Sequence, residues 1–180
     1  MSKKVFIVSS TMRANGNSYL LAKEFERGAK DADNTTEFLD LKNINLNFCK
    51  GCMYCQNKKG CAIKDDINEI LGKVQNSDVL VFATPVYYYE MSGQLKTFLD
   101  RLNPLYFQEN KFKEIYFLAT SADTSNSALD NAINGIKGWA ECFDKVYLKD
   151  VVYGTGAEAV GDIKKSQAMK KAYDMGKAIK

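Results

Sequence analysis

The sequence predicts a three-layer α/β sandwich in which a five-stranded parallel sheet is covered by helices on both faces. Three observations lead to this prediction: short runs rich in β-branched and aromatic residues, helical apolar periodicity between those runs, and alternation of the two along the chain. A chain of 180 residues is usually one domain, and no repeat, low-complexity tract or linker divides it. Residues 1–180 are therefore expected to form a single domain.

Five segments have the composition of β-strands. The first is a continuous apolar run, the second alternates more clearly, and the other three are rich in β-branched and aromatic residues. The predicted strands are Val5–Ser9, Thr35–Leu41, Val79–Ala83, Ile115–Thr120 and Val146–Val152.

Helices are predicted between and after these strands, because apolar residues recur there at the spacing of one helix face. The apolar positions are Leu21 and Phe25 before the second strand, Ile67, Ile70, Leu71 and Val74 before the third, Leu95, Phe98, Leu99 and Leu102 before the fourth, Leu129, Ile133, Ile136 and Ala140 before the fifth, and Met169, Ala172, Tyr173 and Gly176 at the end. Right-handed crossovers place such helices on both faces. The alternation suits strand order 2-1-3-4-5, in which the first and third strands are neighbours and a crevice opens at their carboxyl ends.

The composition argues against several classes of protein. No run of about 18 apolar residues exists, so no membrane-spanning helix is expected. The apolar run at 5–8 is too short for a signal-peptide core, so a cytoplasmic location is expected. The net charge of +3 comes from scattered residues and forms no nucleic-acid stripe. With no histidine, the chain lacks the commonest general base, so its chemistry is expected to come from a cofactor.

The loop after the first strand has the composition of a phosphate site. Residues 9–18 read SSTMRANGNS and precede a helix. The first turn of a helix has unpaired N–H groups and a dipole that favour an anion, and Asn17 or Ser18 is expected to cap it. No GxGxxG follows this strand, which favours a mononucleotide over a dinucleotide. A capped helix start without a ligand is the alternative.

The loop after the third strand offers aromatic groups to the same crevice. Residues 84–93 read TPVYYYEMSG, and proline fixes the backbone where the strand is expected to end. Three consecutive tyrosines cannot all face inward, so some are expected to pack on an aromatic ligand. Packing beneath the loop is the alternative for at least one. The small polar loop at 120–125 either presents N–H groups to a ligand or caps a helix.

Together, SSTMRANGNS and TPVYYYEMSGQLKTFLDR resemble the two motifs of the NAD(P)H-dependent FMN reductase family, which has the flavodoxin-like fold. The resemblance covers essentially the whole chain, although Ser10-Thr11-Met12 replaces the usual Gly-Ser-Pro. It implies that the chain is one FMN-binding domain. The cofactor-binding residues it implies are Ser10, Thr11, Arg13, Asn17 and Ser18 around the phosphate, Pro85, Val86, Tyr87, Tyr88 and Ser92 along the ribityl chain and ring, and Ser121 and Asp123 beside the flavin.

The same resemblance implies a reaction. NAD(P)H would give a hydride to FMN, and a small acceptor such as a quinone, nitro compound, azo dye or flavin would then take the electrons. No side chain is expected to be an obligatory catalyst, because the flavin carries the redox chemistry. Family members commonly form dimers that complete the flavin site, so a homodimer or larger homo-oligomer is expected. The identity of the acceptor, and NADH against NADPH, are left open.

Four of the five cysteines lie in one short segment, CKGCMYCQNKKGC at 49–61. Cys49, Cys52, Cys55 and Cys61 have a spacing that can wrap a [4Fe–4S] cluster, and the segment resembles the compact motif of iron–sulfur flavoproteins. With the following Ala-Ile-Lys-Asp-Asp, it also resembles flavin reductases whose thiols stay reduced beside the flavin. Zinc is a third alternative, although structural zinc sites usually split their cysteine pairs further apart. The fifth, Cys142, is expected to be a small buried apolar residue.

These patterns leave four functions open. The first is an FMN-dependent oxidoreductase that uses NAD(P)H. The second is an iron–sulfur flavoprotein that carries electrons through the four clustered cysteines. The third is a flavodoxin without hydride chemistry, and the fourth is a thiol redox-sensing or zinc-binding interaction module.

Overall fold

The computed structural model describes residues 2–180 and contains six strands and six α-helices in that range. The strands are Lys4–Ser9 (β1), Thr35–Asp40 (β2), Val79–Tyr87 (β3), Glu90–Met91 (β4), Glu114–Thr120 (β5) and Tyr147–Gly154 (β6). The helices are Asn17–Asp31 (α1), Tyr54–Asn57 (α2), Ile67–Gln75 (α3), Gly93–Arg101 (α4), Asp130–Glu141 (α5) and Gln167–Lys177 (α6). Across residues 2–180, none of the helices has the length and apolar character needed to cross a membrane.

Five strands run parallel in the order β2-β1-β3-β5-β6, and β4 pairs with β3 off this path. Counted along the five predicted strands, this order is 2-1-3-4-5, so the predicted topology is confirmed. β1 is an interior strand, since its Ile7 lies opposite Phe38 of β2 and Val81 of β3. The chain leaves β1 towards one side and returns to β3 on the other. The loops after β1 and β3 therefore diverge and open a crevice at the carboxyl ends of the strands.

The sheet separates two hydrophobic cores, because successive residues of a strand point to opposite faces. From β1, Val5 and Ile7 join the core that contains residues of α1 and α6. Phe6 and Val8 join the other core, with residues of α3, α4 and α5. Helices thus cover both faces of the sheet, as predicted.

The third strand continues beyond its predicted end and forms a hairpin with β4. β3 continues to Tyr87 rather than ending at Ala83, so that predicted boundary is wrong. β1 pairs with β3 only as far as Ala83; beyond it, Thr84 and Pro85 pair with β5, and Val86 and Tyr87 pair with β4. Pro85, which lacks an N–H, is tolerated at such an edge. The chain then turns through Tyr88 and Tyr89, at φ values of 50° and 66°, and returns as β4.

The helices α1 and α6 cross with their backbones in contact, and two glycines make this possible. A Cβ atom at Gly28 would lie 2.1 Å from the carbonyl oxygen of Tyr173. At Gly176, it would lie 2.1 Å from the carbonyl oxygen of Phe25. Neither glycine has a positive φ, so the requirement is for space rather than for backbone freedom. The crossing fixes α6 against the helix that begins at the predicted phosphate loop.

The substitution Gly176→Ala is expected to lower the free energy of unfolding by about 3 kcal/mol, because the new methyl group meets backbone that no rotamer change can move. Urea unfolding measures this difference. Gly138→Ala is the matched control, since Gly138 lies in α5 with open space around its Cβ direction. That change is expected to raise stability by up to about 1 kcal/mol. Equal stabilities for the two variants would contradict the close crossing.

Candidate functional site

A cleft of about 240 Å³ lies at the carboxyl ends of β1, β3 and β5, where the crevice was predicted. The loops that follow β1 and β5 and the end of β3 contribute to its walls. Of the twelve predicted cofactor-binding residues, the eight that line the cleft are Thr11, Arg13, Asn17, Ser18, Pro85, Val86, Tyr87 and Ser121. Sequence segments far apart in the chain are thus brought to one place.

The start of α1 presents hydrogen-bond donors to this cleft. The first bond of the helix runs from the Leu20 N–H to the Gly16 carbonyl, which leaves the N–H groups of residues 17–19 without intrahelical partners. The Ser18 hydroxyl is buried and has no hydrogen-bond partner among the described residues. The guanidinium of Arg13 is exposed at the cleft and donates to the Glu158 carbonyl at 3.1 Å. An anion placed here would meet backbone donors, an unpaired hydroxyl and a positive charge.

The Asn17 side chain makes contacts other than the predicted helix cap. Gly16 is the N-cap of α1 and no side chain caps the helix, so the prediction of a cap by Asn17 or Ser18 is wrong. The Asn17 amide nitrogen donates to the carbonyl oxygens of Ala157 (3.1 Å) and Ala159 (2.9 Å). Its oxygen accepts from the Gly161 N–H at 2.9 Å. Because the amide is occupied in this way, Asn17 fastens another segment to the loop and offers a ligand mainly its backbone N–H.

That segment, residues 157–160, forms a wall of the cleft that sequence reasoning missed. Ala157, Glu158 and Val160 line the cleft. The Ala157 N–H donates to the Ser121 carbonyl at 2.8 Å and ties the segment to the loop after β5. The available signal was the glycine pair Gly154 and Gly156 just after the fifth predicted strand, since clustered glycines mark a turn at a carboxyl end.

Two of the predicted residues, Ser10 and Ser92, lie beneath the cleft rather than in it. Both are fully buried, and the Ser92 hydroxyl donates to the Ser10 hydroxyl at 2.9 Å. The Ser92 N–H donates to Thr84 Oγ1 at 3.1 Å, and Ser92 Oγ accepts from the Leu95 N–H as the N-cap of α4. Ser10 also donates to the Ala83 carbonyl. This hydroxyl network joins the loop after β1, the end of β3 and the start of α4.

The remaining predicted residues, Tyr88 and Asp123, point elsewhere. Tyr88 is 99% exposed at the tip of the hairpin, whereas Tyr87 is 47% exposed and lines the cleft. The Asp123 carboxylate accepts from the Ser125 N–H at 2.8 Å and shapes its own loop. Of the three consecutive tyrosines, Tyr87 is therefore the one that the fold brings to the cleft.

The four clustered cysteines line a second pocket, together with Arg101 at the end of α4 and Asn103 just beyond it. Cys49 and Cys52 are exposed, Cys55 and Cys61 are half-buried, and no disulfide joins the described cysteines. Two of the sulfurs accept hydrogen bonds. Asn103 Nδ2 lies 3.1 Å from Cys55 Sγ, and Arg101 Nη2 lies 3.5 Å from Cys61 Sγ.

The distances between the cysteine sulfurs in this pocket distinguish a single zinc ion from a four-iron cluster. One zinc ion with bonds of about 2.3 Å would draw its sulfurs to within about 4 Å of each other. Within residues 2–180, no three His, Cys, Asp or Glu side chains come close enough to hold a single metal ion. A four-iron cluster keeps its ligands further apart. The enclosed space is about 20 Å³, so a cluster would require the two exposed cysteines, Cys49 and Cys52, to move outward from the half-buried Cys55 and Cys61.

Cys142 does not behave as predicted. It is exposed at the end of α5, and its thiol donates to the Gly138 carbonyl, so the expectation of a buried residue is wrong. The helical phase explains the difference: Trp139 and Phe143 pack against the core with ring centroids 4.7 Å apart, and Cys142 falls on the outer side.

A buried ion pair holds the cysteine segment against α4. The Arg101 and Asp65 side chains are 1% and 0% exposed, and two guanidinium nitrogens lie 2.7 Å from the two carboxylate oxygens. Arg101 also donates to the Asn47 carbonyl, and Asp65 accepts from the Asn47 N–H. Burial alone would raise the pKa of Asp65, but the hydrogen bonds from Arg101 and Asn47 outweigh it and hold that pKa well below its ordinary value.

The family described as NADPH-dependent FMN reductase matches this chain over residues 3–149. The chain belongs to that family. The family resemblance read from the two sequence motifs is therefore confirmed. Residues 150–180, which contain most of β6 and all of α6, lie beyond the matched range.

Individual relatives differ in name and in length. An iron–sulfur flavoprotein of Methanocaldococcus jannaschii is 38% identical over 102 residues, which cover 57% of this chain and 53% of that protein. A putative NAD(P)H-dependent FMN-containing oxidoreductase of Bacillus subtilis is 27% identical over 128 residues, or 67% of each chain. The chain spans about half the length of the first curated relatives it matches, at 53%, 46% and 50%.

Among solved structures, an NAD(P)H:quinone oxidoreductase from Methanothermobacter marburgensis superposes with a TM-score of 0.72. The two share 19% identity, and the match covers 98% of this chain and 96% of that one. This likeness and the observed strand order confirm the flavodoxin-like fold.

The ion pair gives a pH-dependent prediction. Asp65→Asn is expected to lower the free energy of unfolding by about 3 kcal/mol at about pH 7, because Arg101 is left buried without its partner charge. The folded-state pKa of Asp65 lies below its unfolded value of about 3.9, so this stabilisation is present above about pH 4 and is lost as the pH falls through the folded pKa. Urea unfolding at several pH values measures it.

The control for this experiment is Asp100→Asn, which removes an exposed pair with Lys96 on α4. Its effect is expected to stay within about 1 kcal/mol at every pH. A stability difference between wild type and Asp65→Asn that stays constant on acidification to about pH 3 would contradict the prediction.

Proposed function

We propose that this chain is an FMN-dependent oxidoreductase that takes a hydride from NAD(P)H and reduces a small acceptor, with residues 1–180 forming one FMN-binding domain. The observation that carries this proposal is the buried hydroxyl of Ser18 in the first turn of α1, which has no partner in the described part of the chain. A buried hydroxyl without a partner destabilises the protein by about 1–3 kcal/mol, and a phosphate oxygen is an acceptor that would satisfy it. When bound, FMN supplies the hydride and electron transfer.

The side chains around Ser18 fit one terminal phosphate. The N–H groups of the first turn of α1 are free, the helix dipole favours negative charge, and Arg13 adds a full positive charge at the rim. Thr11 lines the same end of the cleft, and its Oγ1 accepts from the Arg13 N–H at 3.3 Å, which shapes the loop. Because the chain belongs to the FMN reductase family, we assign the phosphate at this position to FMN.

The opposite walls suit the planar part of the cofactor. Pro85, Val86 and Tyr87 present apolar and aromatic surface on one side, and Ser121 and Ala122 present a small polar loop on another. The hydroxyl network that includes Ser92 joins the loop after β1 to the start of α4. This bonding holds the walls of the cleft in place without a ligand. In this proposal the chain supplies binding and orientation, which agrees with the absence of histidine.

Acceptor, assembly and location belong to the same proposal. The proposal that the acceptor is a small aromatic molecule is supported by the NAD(P)H:quinone oxidoreductase from Methanothermobacter marburgensis, which has the same fold. Assembly as a homodimer is supported by exposed aromatic side chains at the hairpin and at Tyr54, Tyr106 and Phe107. A cytoplasmic location is supported by the unpaired thiols, since disulfides are rare there.

Replacing Arg13 by Ala is expected to weaken FMN binding by about tenfold to a hundredfold, because a hydrogen bond to a charged group contributes about 1.5–3 kcal/mol. Quenching of flavin fluorescence during titration of the apoprotein measures the affinity. The matched control is Arg27→Ala, which removes an exposed arginine of α1 far along the helix from the cleft. Unchanged affinity in Arg13→Ala would place the phosphate elsewhere.

A second candidate function is electron transfer through an iron–sulfur cluster in the cysteine pocket. All four clustered cysteines line that pocket, and two of their sulfurs accept hydrogen bonds. Four thiols in one place are the donor set of a [4Fe–4S] cluster, and relatives of this chain are named iron–sulfur flavoproteins. A cluster would pass single electrons, so the chain would act as a carrier as well as a reductase.

Protein purified anaerobically is expected to be brown and to contain about four irons per chain. Cys52→Ser should lose most of this iron, because it removes one ligand from the pocket, whereas Cys142→Ser should retain it, because Cys142 lies outside the pocket. Iron analysis and the visible spectrum measure both variants. Wild-type protein that is yellow and free of iron would contradict the second candidate and leave the first intact.

A further inference from the structure

We propose that Asn103 and Arg101 are positioning residues that donate hydrogen bonds into the cysteine pocket and raise the reduction potential of a [4Fe–4S] cluster held there. This inference rests on the cluster candidate of the proposed function. It assigns a role to two residues just beyond and at the end of α4, rather than to the cysteines themselves.

The contact of Asn103 is specific to sulfur. Its amide nitrogen lies 3.1 Å from Cys55 Sγ, and among residues 2–180 this is the only hydrogen bond that its side chain makes. The amide is therefore not required for capping a helix or closing a turn. A neutral N–H group aimed at a cysteine sulfur is the arrangement that tunes a cluster through its ligands.

Arg101 lines the same pocket and has one donor without an acceptor among the described residues. Its side chain is 1% exposed, and its terminal nitrogens bond Asp65, the Asn47 carbonyl and Cys61 Sγ. The remaining donor, Nε–H, is buried and has no partner within residues 2–180, although most buried donors in proteins are paired. Arg101 lines the cysteine pocket, and the sulfides of a bound cluster are acceptors that could satisfy this donor.

The effect on the potential follows from charge. Reduction adds one electron to the cluster and increases the negative charge on its sulfurs. Donors that face those sulfurs in a partly buried site stabilise the reduced form more than the oxidised form. Asp65 pairs with the arginine charge, so the hydrogen bonds from the two residues, rather than a free cation, are the main contribution.

The test is a redox titration of the anaerobically purified holoprotein, followed by the EPR signal of the reduced cluster. Asn103→Leu keeps the approximate size of the side chain and removes its donor. At a fixed potential, the ratio of reduced to oxidised cluster is expected to fall about tenfold, which for one electron is a shift of about 59 mV. Asn76→Leu is the matched control, since it makes the same change at the exposed end of α3 and should leave the ratio unchanged.

The possible outcomes separate the role of Asn103 from the presence of a cluster and from FMN binding. An Asn103→Leu protein with full iron content and an unchanged ratio overturns this inference and leaves the cluster proposal standing. Wild-type protein that holds no iron overturns both, while the FMN proposal is tested separately by flavin affinity. Should Asn103→Leu fail to retain iron, Asn103→Asp replaces the donor by an acceptor of equal size. It is expected to lower the ratio at least as much, and an unchanged ratio there also overturns the inference.

Discussion

The pairing of β1 with β3 is the constraint on which the candidate site depends. It places Ser9, the last residue of β1, beside Ala83 of β3, which lies 74 positions later in the chain. The loops that leave these strands must therefore meet, and the buried hydroxyls of Ser10, Thr84 and Ser92 bond across the junction. The cleft lies directly above this network. A phosphate loop without that pairing would be an isolated helix start.

The helix α4 connects the two candidate sites. Its N-cap is Ser92, whose hydroxyl belongs to the network beneath the cleft, and it ends at Arg101, which holds the cysteine segment through Asp65. A helix of nine residues is about 14 Å long, so both ends of one rigid rod contact a site. This arrangement gives a physical reason for the motif TPVYYYEMSGQLKTFLDR at 84–101. One stretch of chain contributes residues to both the cleft and the cysteine pocket.

Much of this could be predicted from the sequence, and two of the features that could not be predicted depend on contacts between distant segments. Strand order, the two cores and the cleft follow from periodicity and from the parallel-sheet rules, which are local patterns plus topology. The bonds of Asn17 reach a segment 140 or more residues away, and no local pattern encodes such a contact. The same holds for the pairing of Arg101 with Asp65. The exposed position of Cys142 was open to local reasoning, since Trp139 and Phe143 already define the buried face of that helix.

The crossing of α1 and α6 has a consequence for how this chain can change during evolution. Most core positions tolerate a larger residue when a neighbour becomes smaller. At Gly28 and Gly176 the neighbour is main chain, which has no smaller form, so neither position can exchange volume with a partner. Any lineage that acquires a side chain there must separate the helices. Separating the helices would displace the axis of α1, whose first turn faces the cleft.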